Sequence, residues 1–78
     1  MDQDLFMDFG DVVKRLHLGL KFTRAGWNGV GLWIKLQMPD SHSKMTLPYI
    51  YIKNVHGNYV PWVPSIGDVL ADDWMVIE

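Results

Sequence analysis

The chain has 78 residues, 49% of them hydrophobic, with no cysteine and a net charge of −2 from seven Lys plus Arg against nine Asp plus Glu. A chain this short makes one domain and buries only about 60 to 65% of its unfolded surface, yet disulfides are excluded and His17, His42 and His56 do not amount to a zinc ligand set, so self-association is the remaining stabiliser. A pI of 5.8 without a basic run argues against a nucleic-acid polymer as partner. No stretch nears the roughly 18 apolar residues of a membrane span, and Asp2 and Asp4 stand where a secretion signal would be basic, so a cytosolic protein is expected.

Residues 1 to 7 show no clear period and read as an arm or a strand. The first firm element follows: Asp8 can cap a helix, and Phe9, Val12, Val13 and Leu16 fall on one apolar stripe. Lys14, Arg15 and His17 suit its C-terminal end, and Gly19 suits a left-handed stop, so a helix is expected over about 9 to 18. From Leu20 the period changes to alternation, with Leu20, Phe22 and Arg24 on one side of a strand that Gly26, Asn28, Gly29 and Gly31 interrupt. A second strand runs from Leu32 to Gln37. Residues 38 to 46 form a polar loop, the segment where disorder is expected. Tyr49 to Asn54 and Tyr59 to Val63 flank His56, Gly57 and Asn58 as a hairpin, and Pro61 and Pro64 demote the second arm to an edge. Ser65 and Asp68 have capping-box spacing before a single helical turn at 69 to 71, Asp72 and Asp73 end that turn, and Trp74 to Ile77 closes the chain as a strand with Trp74 and Val76 on one face. The expected fold is α+β, an N-terminal helix packed on a small antiparallel sheet or sandwich, in a homo-oligomer.

Catalysis finds little support in the residue types. Thr23, Ser41, Ser43, Thr46 and Ser65 have no His at a recognisable spacing, and His42 beside Ser41 and Ser43 reads as a loop coincidence. The glycines give no phosphate loop, since Gly26, Gly29 and Gly31 match neither the dinucleotide fingerprint nor a P-loop. Asp72 and Asp73 are adjacent, which points their side chains apart and suits solvated carboxylates at an element boundary.

The aromatic residues carry more information. Trp27, Trp33, Trp62 and Trp74 with Tyr49, Tyr51 and Tyr59 are many amphipathic rings for so small a core. Trp74 is expected in the core, with Trp33 in the core or a subunit contact. Trp27 lies in a turn where a ring is either packed or offered to a ligand. Beside it, Arg24 can pair with a phosphate and Asn28 can read a base edge, a combination suited to a small nucleotide; alternatively Arg24 is a solvated strand residue, and Asn28 and Gly29 merely supply positive φ.

The helix leading into Arg24-Ala25-Gly26-Trp27-Asn28-Gly29, the strand pair with Pro48-Tyr49-Ile50, the segment Val60-Pro61-Trp62-Val63-Pro64-Ser65 and the ending Asp68-Val69-Leu70-Ala71-Asp72-Asp73-Trp74 resemble, over residues 8 to 78, the Thoeris anti-defence sponge family of small phage proteins. The family was earlier catalogued only as a domain of unknown function. The resemblance implies a single domain over residues 1 to 78, in the host bacterial cytoplasm, that is not an enzyme and needs no cofactor. It implies sequestration of a cyclic ADP-ribose isomer, or of cyclic di- or trinucleotides, in pockets formed where the protomers of a homotetramer meet. Carried over to this chain, the pocket residues are Trp27, Asn28, Trp62, Ser65 and Asp68, with Arg24. Ile66 and Gly67 replace polar residues common in relatives, and the loop over 38 to 47 is shorter than in many of them, which bears on ligand identity.

Such a sponge needs rigid rings and fixed donors. Base stacking is worth about 1 to 3 kcal/mol per ring, and backbone N–H groups at a turn or helix start can hold phosphate without a large net charge. Lys35 or Lys53 of a neighbouring protomer could add local positive charge, and Asp68 is expected to accept ribose hydroxyls or to cap its own helix. The competing reading is an oligomeric interaction module whose aromatic surface binds a host protein.

Overall fold

The computed structural model describes residues 6–27, 31–42, 44 and 46–77. Helix α1 (Phe9–Leu16) leads into strands β1 (Lys21–Arg24), β2 (Trp33–Gln37), β3 (Tyr49–Lys53) and β4 (Tyr59–Pro61), then helix α2 (Ile66–Leu70) and strand β5 (Trp74–Ile77). The five strands form one sheet in the order β4-β3-β2-β1-β5, each neighbouring pair antiparallel. The α+β expectation therefore stands as a helix on a single sheet.

Local chemistry accounts for the element ends. The Asp8 carboxylate accepts the Asp11 N–H at 2.9 Å and starts α1, and Gly19, at φ +85°, takes the left-handed conformation that a side chain resists. The helix stops at Leu16, two residues before the expected end, because the amides of Leu18 and Gly19 turn back to the carbonyls of Arg15 and Leu16. At the other end of the chain the Ser65 hydroxyl accepts the Asp68 N–H and the Asp68 carboxylate accepts the Ser65 N–H, both at 3.1 Å, a complete capping box. In the β3–β4 turn the Asn54 side chain accepts the amides of His56 and Asn58, and Gly57 sits at φ +86°. Pro61 lies on β4, the sheet edge, where its missing N–H removes no ladder bond needed by an inner strand. The described residues between β2 and β3 carry no helix or strand.

Residues directly opposed in an antiparallel pair share a face, so the register sorts the sheet into two surfaces. Phe22, Ile34, Leu36, Ile50, Ile52, Val60, Trp74 and Val76 lie on one side. There α1 lays Val12 and Leu16 against Phe22, Ile34 and Trp74, and these five are the fully buried core. Val76 shares the face of Trp74, as expected, yet stays 41% exposed because β5 is the other edge strand.

The opposite side holds Lys21, Thr23, Trp33, Lys35, Gln37, Tyr49, Tyr51, Lys53 and Tyr59, and no helix of the described residues packs on it. Trp33 therefore lies outside the core for which it was a candidate. It is half-buried, edge-on to Tyr51, with the Lys21 ammonium 4.5 Å above its ring. Burial, reinforced by Tyr59 and Tyr49, raises the Tyr51 phenol above its ordinary value.

Residues 1–5 of the expected N-terminal arm lie outside the described residues. Met7 makes a single antiparallel bridge to Trp74, donating to its carbonyl at 2.8 Å and accepting its amide at 3.2 Å.

Candidate ligand site

The end of β1, the turn after it, and the α2–β5 segment converge above the helix-covered side of the sheet. Strand pairing sets Arg24 opposite Trp74, and the turn closes when the Trp27 amide donates to the Arg24 carbonyl at 3.2 Å. The Arg24 guanidinium then reaches two carboxylates separated from it by more than forty residues of chain: Nε donates to Asp73 Oδ1 at 2.7 Å and Nη1 to Asp68 Oδ1 at 2.8 Å. The side chains are 21%, 27% and 12% exposed for Arg24, Asp73 and Asp68, so the pairs are partly shielded from water and stronger than surface ion pairs. Arg24 is thus not the solvated strand residue of the alternative reading.

The electrostatics follow from these contacts. Hydrogen bonds that Arg24 donates to Asp73 and then to Asp68 raise its pKa further above its already high value. Asp73 is held below the usual carboxylate range, first by the Arg24 guanidinium, against a smaller opposing effect of burial, and then by the Gly26 amide. For Asp68 burial pushes upward, but Arg24, the Ser65 amide and hydroxyl, and the Trp27 indole together outweigh it and keep the carboxyl depressed. Both carboxylates are ionised at neutral pH, so the cluster holds two negative charges against one positive.

Three tryptophans and a phenylalanine complete the cluster. Trp27 lies edge-on to Trp74 at 5.2 Å and to Trp62 at 6.2 Å, Trp62 is edge-on to Trp74 at 6.1 Å, and Phe9 of α1 leans on Trp74 at 5.5 Å and Trp62 at 6.2 Å. Edge-to-face contacts of this kind contribute about 0.5 to 1.5 kcal/mol each beyond area burial. The indole N–H groups are used as well: Trp27 Nε1 donates to Asp68 Oδ1 at 3.1 Å and Trp74 Nε1 to the Asp68 carbonyl at 3.0 Å. Trp74 is wholly buried, whereas Trp27 and Trp62 are half-buried and keep part of their surfaces toward solvent. A groove of about 450 Å³ opens beside Trp62, between α1 and strands β2 and β3, lined among others by Val13, His17, Leu36, Pro48 and Ile50. That is in the range of small-molecule pockets.

The sequence-predicted residues Arg24, Trp27, Trp62, Ser65 and Asp68 are thus brought into one region, and Asn28 lies outside the described residues. Both Asp68 oxygens are engaged within the chain, so its helix-capping role is realised. Trp27, expected either packed or offered, is half of each. Asp73 was missed: read as a solvated boundary carboxylate, it instead accepts from Arg24 and, through Oδ2, from the Gly26 N–H at 2.8 Å. Its partners are remote in sequence, so no local spacing marks it. Asp72 is exposed, as expected. Phe9, read only as a helix stripe residue, also belongs to the ring cluster.

A capped helix on a five-stranded antiparallel sheet, with a tryptophan cluster keyed to a buried capping aspartate, defines a small α+β domain. Its sequence matches the Thoeris anti-defense 2-like domain over residues 7–77, and the chain belongs to that family. It is similar to Thoeris anti-defense 2 of Bacillus phage SP01, with 30% identity over 84 residues, covering 91% of this chain and 94% of that protein. No helix of the described residues is long and apolar enough to cross a membrane.

Proposed function

We propose that this protein counters Thoeris defence in the host bacterial cytoplasm by binding a cyclic ADP-ribose isomer, or a related cyclic di- or trinucleotide, and holding it without cleaving it. The observation that carries the proposal is the pairing of family membership with the half-buried Trp27 and Trp62 beside a guanidinium. Trp27 and Trp62 supply flat faces for a base, Arg24 offers the guanidinium N–H groups its two carboxylates leave unused, and Asn28 reads polar edges. Ser65 and Asp68 fix α2 beneath them, and in this proposal Asp68 also accepts a ribose hydroxyl. No catalytic residue and no cofactor enter this reading.

The cluster's excess negative charge supports a homo-oligomer, in this proposal a tetramer. A nucleotide's phosphates need cations that the two carboxylates do not cancel, and Lys35 and Lys53 lie on the opposite side of the sheet from the Trp27 cluster of their own protomer. A second copy can bring them to the ligand.

The test is recovery. Protein incubated with the messenger and then heated should release it chemically intact; release of a cleaved product refutes a sponge in favour of an enzyme. The exposed Tyr59 and half-buried Trp33 and Tyr51 of the uncovered sheet side favour a second reading, an oligomeric module that binds a host protein. Trp27→Ala separates the two. Loss of ligand with unchanged assembly mass supports the sponge, and loss of assembly from a parent protein without nucleotide affinity supports the module.

A further inference from the structure

We propose that Asp73 is a positioning residue that sets the orientation of the Trp27 ring by holding three consecutive residues of the preceding turn. The proposal rests on the ligand reading above for its functional meaning, and on geometry alone for its structural content. The Asp73 carbonyl accepts the Ala25 amide at 3.1 Å, Oδ2 accepts the Gly26 amide at 2.8 Å, and Oδ1 accepts Arg24 Nε at 2.7 Å. Any residue at this position supplies the carbonyl. Only a carboxylate of this length supplies two further acceptors, one for a strand-end guanidinium and one for a main-chain N–H.

Gly26 is the counterpart of this clamp. Its φ does not call for glycine, so the requirement is space: a Cβ there would stand 2.9 Å from Asp73 Oδ2 and 3.3 Å from Arg24 Nη2. Gly26 and Asp73 are therefore matched, the missing side chain of one making room for the carboxylate of the other. Trp27 starts directly from this fixed turn, and its indole ends on Asp68 Oδ1 at 3.1 Å. The ring is held at both ends, its backbone through Asp73 and its N–H through Asp68. Asp73 also adjoins Trp74, whose ring lies 5.2 Å from Trp27, so one short segment fixes both the turn and the surface on which the ring rests.

The experiment uses Asp73→Asn and Gly26→Ala in the full chain, first without ligand. Asn keeps the volume but turns one acceptor into a donor facing a donor. Nitrogen-resolved NMR should show the Trp27 indole N–H moved and the Gly26 amide exchanging faster in D73N, while the amides of Phe22 and Ile34 stay protected. G26A should move the Trp27 signal likewise, and the double variant should move it little further, since either change opens the same clamp. Affinity for a cyclic ADP-ribose isomer should fall about tenfold, as for the loss of a charge-assisted hydrogen bond.

Unmoved Trp27 and Gly26 signals in D73N overturn the proposal. So does an unmoved Trp27 signal in G26A, which decides the matter even if D73N fails to fold. A parent protein that binds no nucleotide defeats the ligand reading alone, because the ligand-free signals still judge the clamp.

Discussion

Trp27 Nε1 donates to Asp68 Oδ1 at 3.1 Å, and the same oxygen accepts Arg24 Nη1 at 2.8 Å. One carboxylate thereby ties the turn after β1 and the end of that strand to the first turn of α2, while its second oxygen caps that helix through the Ser65 amide.

Asp68→Ala removes all three of those interactions at a site only 9% exposed, and it leaves the Trp27 indole and Ser65 amide short of an acceptor. A loss of about 2 to 4 kcal/mol in unfolding free energy is expected. Urea unfolding followed by tryptophan fluorescence checks this; a change below 1 kcal/mol would show that the carboxylate is replaceable by water.

Ser65→Ala and Ser65→Gly both remove the hydroxyl half of the capping box, but glycine suits the N-cap backbone far better than alanine. Losses of about 1 kcal/mol and a few tenths respectively are expected, with an unchanged urea m-value since the buried surface is the same. Equal effects of the two substitutions would argue against a capping role.

Acid should weaken the fold through Asp68 and Asp73. Both have folded-state pKa values below those of the unfolded chain. Their stabilisation is therefore complete above the unfolded carboxylate value near 4 and is lost as the pH falls from there through the lowered folded values. Urea midpoints measured from pH 7 down to pH 2.5 should drop most steeply below about pH 4. Arg24→Met should flatten that drop, and a variant with the parent's acid profile would mean that other carboxylates cause it.

Trp74 and Trp33 should respond differently to truncation. Trp74→Ala empties a fully buried site and should cost about 3 to 5 kcal/mol, whereas Trp33→Ala, half-buried on the uncovered sheet side, should cost less than half as much. Similar losses would show that the Trp33 side of the sheet is covered in solution, and sedimentation would then reveal the larger assembly.

The parts of the fold legible in the sequence are those whose signals lie close together along the chain. The α1 stripe of Phe9, Val12 and Leu16 and the Asp8 cap lie within a few residues of one another, as do the Ser65–Asp68 box and the Asn54–Asn58 turn. Hydrophobic period and capping chemistry act over those distances, so most element ends fall within about two residues of expectation, in line with the ordinary scatter of such ends, while α2 begins at Ile66, three residues before the turn expected at 69 to 71. The two-residue error at the end of α1 arose because the expected end was set by Gly19 as a left-handed stop, whereas the chain leaves the helix earlier, with the amides of Leu18 and Gly19 already turned back to the carbonyls of Arg15 and Leu16.

The candidate site was half legible. Its tryptophans stood out by type and by their glycine and proline neighbours, and Asp68 by its spacing from Ser65. What each side chain touches was not legible. Trp33 and Trp74 both occupy short strands, and only sheet order decides that one faces α1 and the other the uncovered side.

The sequence by itself determined the α+β class, the helix caps, the absence of disulfides and the family, because these depend on residue type, short spacing and motif order. Only the tertiary structure decided that Asp73, adjacent to a visibly solvated Asp72, holds Arg24 and Gly26, and that Arg24 faces two carboxylates instead of water. Those contacts join residues 44 to 49 positions apart, and they exist because β5 pairs with β1, bringing the last strand beside the first.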